Sequence, residues 1–162
     1  MSYKTSYTKE EWAKLEKAPF YAGSIVAVSD MGHHELKKER EAAVKGTTLW
    51  TIPDEAKDLI RPLYADIGKY REDTERLPGS EDLGEPEDWK PVALQGLQDV
   101  MEILQAKATA EEIAAFKDWL MFVAQTTADA SKEGTLGLVG PRVSEKEEEA
   151  LEEIRQTLDA KE

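Results

Sequence analysis

The chain has 162 residues, no cysteine and a net charge of −13, from 34 acidic side chains against 21 basic. That length suits one domain with a sizeable core. The missing cysteines exclude disulfide scaffolds, thiolate metal sites and cysteine nucleophiles, and they fit a reducing cytosol, so a cytoplasmic location is expected. The acidic balance disfavours nucleic acid as a partner, because nothing gathers the lysines and arginines into a patch that would hold a phosphate backbone.

The first ten residues contain no apolar run of the secretion-signal kind. The longest apolar stretch, 18–28, holds Pro19, Gly23 and Ser24 and falls well short of the roughly twenty residues that cross a bilayer. Thr8 followed by Glu11 forms a capping-box pattern that opens a first helix. Trp12, Leu15, Pro19, Ala22, Val26 and Ser29 then recur at helical spacing, with Pro19 expected to bend or interrupt the run. A second helix is expected over 34–45 and is stopped by Gly46, the residue type that tolerates the left-handed turn after a helix end. Pro53 marks the first turn of a third, striped by Leu59, Ile60, Leu63, Tyr64 and Ile67 and bent at Pro62.

From 76 to 91 the apolar spacing disappears. Residues 72–88 carry eight acids against Arg76 alone, which reads as a long acidic connection, mobile or functional, at the midpoint of the fold. Beyond it Val92, Leu94, Leu97, Val100, Met101 and Leu104 mark a helix over 91–107. Thr109 with Glu112 caps the next, where Ile113, Phe116, Leu120, Val123 and Thr127 are widened by Trp119, Met121 and Phe122 into a surface apolar most of the way round. Such a helix belongs in the centre, packed on the first. Ser144 with Glu147 caps a last helix striped by Ala150, Leu151, Ile154 and Leu158. No segment alternates like a strand. The fold class is therefore all-α, a single-domain bundle of about six helices.

Chemistry-bearing residues are few. His33 and His34 are adjacent and point about 100° apart on a helix, so they do not chelate one ion as an i, i+4 pair would. Asp30 in a turn, with Glu35 and Glu39 on the helix after it, offers oxygens to a hard cation such as calcium or magnesium. Asp129 and Glu147, with Glu133 and Glu148, form the corresponding set near the other end. Without a cation these acids are surface helix caps. The glycines of 134–142 lack the preceding strand and the Gly-Lys-Ser of a phosphate loop, so Leu136, Leu138 and Val139 read instead as a contact surface or core filling. Spacing makes Trp12, Trp50, Trp89 and Trp119 core residues, but Trp89 beside the acidic connection is a candidate exposed aromatic for a protein contact. No nucleophile motif is evident.

The segment Ala27-Val28-Ser29-Asp30-Met31-Gly32 with Leu36 and Glu39 is echoed about a hundred residues later by Thr127-Ala128-Asp129 with Val143, Ser144 and Glu147, an internal repeat suggesting two related helical halves. This arrangement resembles the tellurite-resistance TerB-like proteins. The resemblance implies a small all-helical domain with acidic residues near helix starts, and an interaction module in stress-response and membrane-linked assemblies rather than an enzyme. The expected function is thus non-enzymatic binding of a protein partner, with a weak divalent-cation site as an accessory. The alternatives are a metal-dependent enzyme built on the carboxylates, or a structural subunit of a homo-oligomer.

Overall fold

A computed structural model describes residues 2–29, 43, 45–82, 84–133 and 145–160. Five helices are resolved from end to end: α1 (Lys9–Ser29), α2 (Lys57–Thr74), α3 (Trp89–Lys107), α4 (Ala110–Glu133) and α5 (Glu145–Asp159). Residues 45–49 are helical as well, and single 3-10 turns lie at Lys4–Ser6, Asp54–Ala56, Ser80–Asp82 and Pro86–Asp88. No strand occurs among the described residues, so the architecture is an all-α bundle.

Both described capping boxes form as their residues dictate. Thr8 N–H donates to Glu11 Oε1 (2.8 Å) while Glu11 N–H donates to Thr8 Oγ1 (3.0 Å). Thr109 and Glu112 repeat the exchange at α4 (2.9 and 3.1 Å). Each box satisfies donors that a helix start leaves without partners. The third expected box rests on Ser144, outside the described residues. α1 and α2 run unbroken through Pro19 and Pro62. An interior proline costs about 3 kcal/mol, and here the burial of Ala18 to Ala27 and of Leu59, Ile60 and Leu63 outweighs it.

α1 touches every other labelled helix, most extensively α3 and then α4. Its first half is amphipathic, but from Ala18 to Ala27 every residue except Phe20 is buried. The expectation that α4 is apolar most of the way round is corrected. It packs Phe116, Trp119, Leu120 and Val123 inward, leaves Met121 and Phe122 half-buried, and exposes Glu111, Ala114, Asp118 and Gln125. Trp119 anchors it: the indole N–H donates to Thr47 O (2.8 Å), Phe116 meets its ring edge-on at 5.1 Å, and Tyr64 lies 5.4 Å away.

The expected stop at Gly46 is also overturned, since helix continues through it to residue 49. Gly46 packs against α4, where a Cβ at this position would meet Thr126 Cβ at 3.4 Å and Val123 Cα at 3.5 Å, ordinary van der Waals contact. Gly96 on α3 is more constrained. A Cβ there would lie 2.3 Å from Tyr21 Cε2, inside the space the tyrosine ring occupies.

Two glycines at helix-interior positions therefore respond oppositely to alanine. Gly68 on α2 has open space around its Cα, so Gly68→Ala should stabilise by about 0.5–1 kcal/mol through backbone entropy. Gly96→Ala gains the same propensity but must displace Tyr21, at about 1–3 kcal/mol for overpacking, so its urea midpoint should fall. In the same melts Phe116→Ala should lose about 3–5 kcal/mol, against less than about 0.5 kcal/mol for the exposed Glu148→Ala.

Candidate binding site

Of the carboxylates expected around a cation, Asp30, Glu35 and Glu39 lie outside the described residues. Asp129 is half-buried near the end of α4 and accepts a hydrogen bond from Gln125 Nε2 one turn earlier (3.0 Å). Glu147 is buried in the first turn of α5. Among the described residues no three His, Asp or Glu side chains converge in an arrangement that could hold a metal ion. The contact residues Leu136, Leu138 and Val139 also lie outside the described residues. Trp89 is not exposed: 7 % of its surface is accessible, and its indole N–H donates to Gly84 O (2.9 Å).

Three carboxylates outside the expected cation sets fasten distant segments to the bundle. Glu112, fully buried, completes its capping box and also accepts from the Ser2 backbone N–H, 3.1 Å from each oxygen, and from Ser2 Oγ (2.9 Å). Asp66 Oδ2 accepts from Lys4 Nζ (2.7 Å) and from the Trp12 indole (2.9 Å). Asp82 Oδ2 accepts from Tyr21 Oη (2.8 Å) and pairs with Lys17 Nζ (2.8 Å).

The Asp82 contacts dock the acidic connection onto α1. α2 ends in Glu75, a non-glycine residue at φ 61° whose N–H caps Arg71 O. This left-handed cap reverses the chain, and Leu77, Pro78 and Gly79 follow into buried positions. Gly79 adopts φ 102°, and a Cβ there would crowd Lys17 and Tyr21 at 3.3 Å. α3 starts at Trp89, two residues earlier than its periodicity indicates. Pro91 thereby falls within the first turn, where its missing N–H costs no intrahelical bond.

Between the docked connection and α1 lies a cavity of about 330 Å³. Phe20, Gly23, Ser24 and Ala27 form one wall, Ala43, Leu77 and Trp89 continue it, and Glu75, Arg76 and Ser80 stand at the rim. The lining is mainly apolar with a few polar groups, the usual character of a small-molecule site. Ser24 is 5 % exposed, and its hydroxyl makes no hydrogen bond among the described residues. The serines and threonines at 29, 47, 127 and 157 instead bond a carbonyl of the preceding turn. Arg76 joins no ion pair among the described residues.

Comparison with family models, with curated proteins and with solved structures finds no match. No helix among the described residues is long and apolar enough to cross a membrane.

The fastening groups make stability depend on pH at both ends. Partial burial pushes Asp66 and Asp82 up, but hydrogen bonds from Lys4 and Trp12, and from Lys17 and Tyr21, outweigh it and hold both carboxyls below their ordinary value. Their contribution is present above that ordinary value of 3.8 and is lost as pH falls through the lower folded values. Burial raises Tyr21, helped by its bond to Asp82, and pushes Tyr64 up to about 12. Their contribution is complete below the ordinary 10.0 and is lost as pH rises beyond it. Urea melts across pH should therefore show a shallower acid limb in Asp82→Asn and a shallower alkaline limb in Tyr21→Phe than in the parent chain.

Proposed function

We propose that this protein is a non-enzymatic interaction module that presents its acidic connection to a basic surface on a protein partner. The supporting observation is the way the connection is held. Leu77, Gly79, Asp82 and Trp89 pin it to the bundle, while Glu81, Glu87 and Asp88 on its two 3-10 turns, and Glu85 just before the second, stay exposed. A charged segment already fixed in shape loses little conformational freedom when it docks, and its charge speeds encounter with a basic surface. The TerB-like resemblance points to the same class of activity. The carboxylates at 66, 82 and 112 are engaged by structural donors, which favours binding over carboxylate-based catalysis.

The test is site-specific photo-crosslinking in the host cell from position 87, compared with position 111 on α4, also exposed. A discrete adduct is expected from 87 and not from 111, and Glu85→Lys with Asp88→Lys should abolish it. Equal labelling from both positions, or an adduct that survives charge reversal, overturns the reading.

A further inference from the structure

We infer that the cavity between α1 and the docked connection binds a small aromatic carboxylate that carries a second hydrogen-bonding group at its far end. This assignment is separate from the protein-binding face and does not depend on it. Three observations meet in one place. The first is shape and lining: about 330 Å³ bounded by Phe20, Ala27, Leu77 and Trp89, at the lower end of the size range of small-molecule pockets. Aromatic walls favour a flat apolar body, which stacks or meets ring edges there.

The second is the Ser24 hydroxyl on the inner wall, which has no hydrogen-bond partner among the described residues. A buried polar group without a partner is destabilising, and a ligand donor or acceptor at that point relieves it. Gly23 beside it keeps the helix surface low, and a Cβ there would stand 2.8 Å from Ala43 Cβ.

The third is Arg76 at the rim. It is the lone base among the eight acids of residues 72–88, yet it forms no ion pair among the described residues. It follows the αL turn at Glu75 and lines the cavity beside it. A guanidinium takes a carboxylate through two parallel N–H bonds. The occupant that satisfies both ends is a carboxylate outside, a ring in the middle and a hydroxyl or N–H at Ser24.

Net charge sharpens the test, since a chain at −13 attracts cations and repels anions by its overall field. Three probes of one body separate the contributions: 4-hydroxyphenylacetate, phenylacetate without the hydroxyl, and tyramine with the charge reversed. Titration calorimetry, with amide chemical-shift mapping on the full chain, should show one 4-hydroxyphenylacetate per chain, perturbing amides around Ala27 and Leu77. Arg76→Gln, at an exposed position, should weaken it about tenfold or more. Ser24→Ala should bring it down to the affinity of phenylacetate while leaving phenylacetate itself unchanged. Tyramine binding as tightly as the carboxylate, unchanged affinity in Arg76→Gln, or no saturable shift near Ala27 overturns the inference. Far-UV circular dichroism confirms that each variant is folded before it is titrated.

Discussion

The second half of α1 is enclosed by its neighbours, and a helix enclosed in this way must be narrow where they come closest. Helix axes in ordinary packing lie about 8–10 Å apart, set by the side chains at the contact. α1 meets that constraint with Ala18, Ala22, Gly23, Ser24 and Ala27. Tyr21 is the large exception, and the fold provides for it in two places: Gly96 leaves room on α3, and Gly79 brings the connection against the ring from another side. The position of the connection, and with it the cavity wall, follows from where that one ring is accommodated. The hydroxyl at its tip then fixes the register by donating to Asp82.

An acidic chain resists compaction through self-repulsion, and the way this one spends its acids offsets part of that. Exposed ion pairs contribute little individually, but at Asp66 and Asp82 a lysine pair is combined with an indole or phenol donor from the core. Each carboxylate thus joins a surface cation to a buried ring. The remaining acids on the connection face outward. Arg76 at the cavity rim is left as a positive group in negative surroundings.

The elements that sequence made legible are those decided by neighbours within a turn or two. Thr8 with Glu11 and Thr109 with Glu112 cap their helices because both partners lie three residues apart, and the Phe116 to Val123 stripe is core because period alone places it on one face. What sequence obscured was settled over long separations. Trp89 reads as exposed because acids surround it in the chain, yet α3 begins with it and turns its ring inward. Gly46 reads as a stop because its close neighbours, Thr126 and Val123, are on a helix far along the chain. Glu112 holds Ser2 across 110 residues. In the candidate site only Arg76 left a trace, as the one base in an acidic run. Ser24 is indistinguishable in sequence from any small helical residue, and only the fate of its hydroxyl sets it apart.

A helix in contact with every other labelled helix has no way to open by itself. Local opening in most domains releases one motif while the remainder stays folded, but freeing α1, with its buried stretch Ala18 to Ala27, would strip a wall from α3, α4 and α5 together. Backbone amides along this stretch should therefore exchange with solvent only through global unfolding. The cavity takes one wall from this enclosed helix and the opposite wall from a connection held by a few side chains, so any breathing of the site should fall on the side of Arg76.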